Sequence, residues 1–93
     1  MRLKEEEINV IKRIILEFDA NAKIYLFGSR ADDAKKGGDI DLLVFSTKID
    51  NETKRMIKLK LYDKLGEQKI DILVAKDAKK PFVRIALEKG VIL

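Results

Sequence analysis

The sequence predicts an α+β domain, a small mixed three-stranded sheet with flanking helices. Segments with apolar residues at helical spacing alternate with short β-branched runs. The second and third runs are separated by a segment long enough for a full helix, the mark of a parallel crossover. The first and second are separated by a shorter, glycine-bounded segment that permits an antiparallel return. Strand two therefore lies in the middle, and the element order is α-β-α-β-α-β-α, the second α being a turn or short helix.

Each element has its own justification. Ile8, Ile11, Ile14, Ile15 and Phe18 fall on one helical face between Lys4 and about Asp19, and Asn21 offers a stop. Lys23 to Phe27 is a β-branched and aromatic run that ends at Gly28. Asp39 to Phe45 reads as the second strand. Asn51 to Leu65 carries Met56, Ile57, Leu61 and Leu65 at helical spacing, with Asp50 or Asn51 as N-cap and Gly66 as the stop. Lys69 to Ala75 is the third strand, and its Asp71-Ile72-Leu73-Val74 echoes Asp41-Leu42-Leu43-Val44, as two buried strands of similar composition would. Pro81 suits the first turn of a last helix that runs to Lys89 with Gly90 past its end. Exposed apolar surface on the first and last helices suits an oligomer or partner interface, and the apolar tail Val91-Ile92-Leu93 hints at one; by slight preference the tail is instead a last strand or cap that closes the core.

Composition narrows the chemistry. The 93 residues are expected to form one domain, residues 1–93, with no room for a separate substrate domain, and 46% of them are hydrophobic. The chain has no Cys and no His. Thiol nucleophiles, zinc fingers, iron–sulfur ligation and a Ser-His-Asp triad are thereby excluded. Acid–base or metal work must rest on Asp, Glu, Lys, Tyr or Ser, and oxygen-only ligands favour hard cations such as Mg²⁺. The net charge is +4, but acidic and basic residues are mixed throughout, so nucleic-acid binding is allowed and not indicated. The charged start and the short apolar run Leu42-Leu43-Val44-Phe45 suggest neither a signal peptide nor a membrane span, so the expected location is cytoplasmic.

One constellation stands out. Asp39 and Asp41, two apart on a strand, share a face, and Asp71 holds the corresponding early position of the parallel neighbour. Three carboxylates on one patch repel and raise each other's pKa unless a cation neutralises them. Gly28-Ser29 faces this patch at the end of the first strand, where a glycine lets the backbone approach a ligand and Ser29 adds a hydroxyl. Arg30, Lys35 and Lys36 add positive charge. Taken singly, each element has a plain structural reading: Gly28-Ser29 as a turn, the two Asp as a solvated strand entrance, Asp71 as a strand cap or a partner of Lys69. The topology gathers them at one sheet edge, and that favours a site.

Gly28-Ser29, nine intervening residues, then Asp39-Ile40-Asp41 followed by Leu42-Leu43-Val44 resembles the signature of the nucleotidyltransferase superfamily related to DNA polymerase beta. The chain's small size and Gly28-Ser29-Arg30-Ala31 resemble the minimal nucleotidyltransferases, the MntA-like antitoxin group. The resemblance implies a nucleotidyltransferase fold in which Gly28, Ser29 and Arg30 bind the nucleotide. It implies that Asp39 and Asp41 hold two Mg²⁺ ions, and that Asp71 joins them at the catalytic metal and assists deprotonation of the attacking hydroxyl. The implied reaction is transfer of AMP from ATP, and the implied acceptor is a helical HEPN-family toxin, with this chain as antitoxin. A masking antitoxin without catalysis, and transfer to a small molecule or an RNA end, are the alternatives. Two departures bear on nucleotide affinity. Asp33 stands where relatives carry glycine, and Gly38 where they carry serine. With Asp32, Asp33 is expected to weaken ATP binding.

Overall fold

A computed structural model of the chain describes residues 3–28, 39–66 and 68–93. Three helices, α1 (Glu5–Phe18), α2 (Asn51–Leu65) and α3 (Pro81–Lys89), accompany four strands: β1 (Lys23–Phe27), β2 (Ile40–Phe45), β3 (Ile70–Ala75) and β4 (Val91–Ile92). The strand order is β3-β2-β1-β4. β2 pairs antiparallel with β1 and parallel with β3, so it occupies the middle as its connections require.

The sheet has four strands where the sequence predicts three. Val91 and Ile92 pair antiparallel with Leu26 and Tyr25, and the Leu93 amide donates to the Ile24 carbonyl at 2.9 Å. A two-residue strand is too short to show alternation in sequence, but it covers an edge of β1 that would otherwise offer unpaired backbone groups. β2 and β3 begin one residue later than expected, at Ile40 and Ile70. The segment between Gly28 and Asp39, expected to be a turn or short helix, lies outside the described residues.

Alternation along the strands divides the core into two. Ile24, Leu26, Ile40, Leu42, Val44, Ile70 and Ile72 turn to one face and pack with Ile11, Ile14, Ile15, Ile57 and Leu61 of α1 and α2. Leu43 turns to the other face, where Val83 and Ala86 of α3 join it and Tyr25, Phe27, Phe45 and Leu73 pack around them. A nine-residue helix covers only part of that face.

Local chemistry fixes the helix ends. Glu5, Glu6 and Glu7 crowd the first turn of α1, where the helix dipole favours negative charge. The Asp50 carboxylate caps α2 by accepting from the Thr53 amide at 2.8 Å, and Gly66 at φ 85° ends it. Pro81 opens α3, and Arg84 Nε donates to the Ala78 carbonyl at 2.8 Å, tying the helix to its incoming loop. Asp19, just past α1, is almost fully covered. Its carboxylate accepts from Ser46 Oγ at 2.6 Å and from the Asn21 amide at 3.0 Å. Ser46 Oγ in turn accepts from the Lys48 and Ile49 amides, each at 3.1 Å. This network joins the end of α1 to the end of β2. No described helix is long and apolar enough to cross a membrane.

Candidate active site

The antiparallel return places the C-terminal end of β1 beside the N-terminal ends of β2 and β3. Asp41 pairs with Asp71, the correspondence the sequence predicts, and Phe27 pairs with Asp41 on the other side. Odd-numbered β2 residues face α3, so Asp41 shares that face with Leu43, and Asp39 precedes it by one full repeat. Asp39 and Asp41 are half-buried at this edge and Asp71 is exposed.

Electrostatics at the edge are unfavourable by construction. Partial burial, then Asp71, then Asp39 push the Asp41 carboxyl above its ordinary value, and Lys69 opposes them. No described residue donates a hydrogen bond to Asp41. Lys69 Nζ instead lies 3.5 Å from Asp39 Oδ2. That pair is largely exposed and therefore worth under about 1 kcal/mol. Lys69 is thus a partner of Asp39, where the sequence offered it to Asp71.

Gly28 closes the edge from the β1 side. Its φ of 74° is left-handed, and a Cβ at this position would strike Asp41 Oδ2 and approach Asp41 Cγ to 3.2 Å. The left-handed backbone calls for glycine here, and any side chain would also have to displace the Asp41 carboxylate. Ser29 and Arg30, the other expected nucleotide-binding residues, lie outside the described residues, as do Asp32, Asp33, Lys35, Lys36 and Gly38.

A divalent cation suits this donor set. The carboxylates supply only hard oxygen ligands, they destabilise one another when ionised, and the missing Cβ at Gly28 opens a path to Asp41. Among the described residues, however, no three acidic side chains are gathered closely enough to hold an ion as they stand. The sequence expectation of a converged trio therefore holds for register and face and not for side-chain approach.

The sequence places exposed apolar surface on the last helix as an oligomer or partner interface, and the structure sets it beside the site. Phe82, Ile85 and Lys89 recur on one side of α3, and with Phe27, Gly28 and Ala86 they line a cavity of about 170 Å³. The Phe27 and Phe82 rings meet edge to face, centroids 6.4 Å apart. The available signal was an i, i+3, i+7 row next to the core row of Val83 and Ala86.

The family model described as polymerase beta, nucleotidyltransferase matches residues 9–93. The chain belongs to this family. Two crystal structures of the toxin–antitoxin MntA–HpeT share the nucleotidyltransferase fold. One, a double aspartate-to-glutamate mutant, superposes with a TM-score of 0.74 at 21% identity, covering 97% of this chain and 71% of that chain. The other, a tyrosine-to-alanine mutant, gives 0.76 at 24% identity, covering 98% and 72%. No curated protein matches the chain in sequence.

Proposed function

We propose that this nucleotidyltransferase-family domain transfers AMP from ATP to a hydroxyl group of a partner protein, and that the partner is a HEPN-family toxin for which it is the antitoxin. The observation that carries the reading is the edge itself, with Asp41 in register with Asp71, Asp39 one repeat away and Gly28 pressed against Asp41. Family membership supports nucleotidyl transfer. The two similar structures come from toxin–antitoxin complexes, which supports the choice of partner.

Asp39 and Asp41 are the residues to hold two Mg²⁺ ions, with Asp71 the third ligand at the catalytic one. When bound, the ions neutralise charge on the phosphates and polarise the α-phosphorus. Gly28, free of a side chain, lets backbone amides approach the triphosphate, and Ser29 and Arg30 continue that contact. Asp71 takes the proton from the acceptor hydroxyl. The acceptor oxygen bonds to the α-phosphorus, the bond from that phosphorus to the α,β-bridging oxygen breaks, and pyrophosphate leaves. Such an in-line displacement needs positioning and charge neutralisation and no imidazole, in keeping with a chain that has no His.

One observation favours a second reading, an antitoxin that masks its partner without catalysis. Lys69 already pairs with Asp39 and competes with a cation for it. Incubation with α-³²P-ATP and Mg²⁺, alone and with lysate of the source organism, separates the two. A labelled protein band that disappears with Asp39→Asn is expected. Label on RNA alone would move the acceptor to nucleic acid, and no label despite intact metal binding would favour masking.

A further inference from the structure

The two edges of the sheet are finished differently. β4 closes the β1 edge, whereas β3, at the other end of the order, has no strand beside it among the described residues. The Ile40 amide donates to the Lys69 carbonyl at 2.9 Å and the Ser46 amide to the Ala75 carbonyl at 3.0 Å. Odd-numbered β3 residues thus turn their backbone groups to β2, and those of Ile70, Ile72 and Val74 turn outward. Edges are ordinarily blunted by short strands, bulges, proline or central charges. β3 has none of these. It pairs with β2 over six residues without a bulge, Asp71 is near its start, and Ile72-Leu73-Val74-Ala75 is unbroken apolar sequence.

We propose that the β3 edge joins the β3 edge of a second copy, antiparallel about a two-fold axis through Leu73, to make one continuous sheet. The charges around the strand are self-complementary in this register. With Leu73 opposite Leu73, Lys69 of each copy stands opposite Asp77 of the other, on one face. Moving the axis to Val74 sets Asp71 against Asp77, and moving it to Ile72 sets Lys69 against Ala75. Lys69 is largely exposed, and the Lys79 amide holds Asp77 beside the strand end by donating to its Oδ1 at 3.0 Å.

Backbone and packing agree with the charges. The same alignment pairs Ile72 with Val74, so outward amides meet outward carbonyls. Leu73, Ala75 and Val83 line a cavity of about 340 Å³ on the α3 face, and each copy's half-buried Leu73 reaches the cavity of the other. Asp71 falls opposite the small Ala75, so the join leaves its carboxylate room.

The chain has no cysteine, so introduced thiols report the register directly. Opposed residues in a non-hydrogen-bonded antiparallel pair lie about 4.5 Å apart at Cα, within disulfide reach. Leu73→Cys should therefore give a disulfide-linked dimer under mild oxidation, and Ala75→Cys, whose counterpart is Asp71, should not. Sedimentation equilibrium of the wild type from low-micromolar to millimolar concentration should shift from one to two copies of the 10.7 kDa chain. Lys69→Asp and Asp77→Lys should each weaken association about tenfold, and the double variant should restore it. A wild type that stays monomeric throughout overturns the proposal. So does equal cross-linking of Leu73→Cys and Ala75→Cys, or a double variant no tighter than the single ones. Association that both charge variants leave unchanged assigns the dimer to another surface and overturns it as well.

Discussion

A carboxylate stands at each end of β2, Asp19 buried and Asp41 half-buried, and the two ends treat it in opposite ways. At one end Asp19 receives a hydroxyl and an amide, and these bonds, led by Ser46, hold it below its ordinary pKa. At the other end Asp41 faces Asp71 and Asp39, and burial together with those charges pushes it up. A carboxylate supplied with donors is part of the framework. One surrounded by like charge lowers stability unless a cation neutralises it, which is the role proposed for Asp41.

The contrast can be broken by mutation, starting with activity. Asp39→Asn should reduce nucleotidyl transfer by about 10²–10³-fold with little change in melting temperature, since it removes a proposed metal ligand and only an exposed ion pair. Ser46→Ala at the opposite end should leave the specific activity of folded protein within about twofold. Loss of transfer in both variants, measured by label incorporation, would mean the two ends are not separable.

Between the ends, Leu42 is fully buried among α1 and α2 side chains. Leu42→Ala should destabilise by about 3 kcal/mol in urea denaturation while metal affinity persists in the folded fraction. A cost below about 1 kcal/mol would show that this face is loosely packed.

Ser46→Ala sharpens the comparison through pH. Asp19 is depressed in the folded state, so its contribution is present above its ordinary value of 3.8 and is lost as pH falls through the lower folded value. The gap in melting temperature between wild type and Ser46→Ala should be full near neutrality and should narrow in acid. A gap independent of pH would assign Ser46 to the Lys48 and Ile49 turn alone.

The smallest effect has the opposite sign. Asp41 is raised in the folded state, so its ionisation opposes folding, and the penalty disappears as pH falls below the ordinary range. Without divalent ions, Asp41→Asn should raise the melting temperature near pH 7 by about 1–2 °C, a modest gain because solvent screens the site. A clear drop would give Asp41 a framework role like that of Asp19.

The central strands were the most legible part of the fold. Asp39-Ile40-Asp41 alternates, a helix-length segment follows it, and those two facts place Asp41 beside Asp71 before any coordinates are seen. The pairing of Val91 and Ile92 with β1 was only half legible, because two residues have no period and an apolar tail suits an interface equally well. Exposed apolar surface on the last helix was legible as an interface, but its place beside the carboxylates was not. Phe82 and Ile85 look like ordinary amphipathic-helix residues until the packing of α3 shows that Val83 and Ala86, with Leu87 beside them, form its core side. Lys69 was legible as a nearby cation, but which aspartate it pairs with depends on side-chain reach across β2 and β3.

The most direct test is thermal unfolding of the wild type and Asp41→Asn against increasing Mg²⁺ or Mn²⁺, with sodium chloride matched for ionic strength. Ligand binding to the folded state alone raises its melting temperature. The account predicts a saturable rise for the wild type and none for Asp41→Asn. A wild type that responds no more to the divalent ion than to matched salt would contradict it, and the three aspartates would then be no metal site.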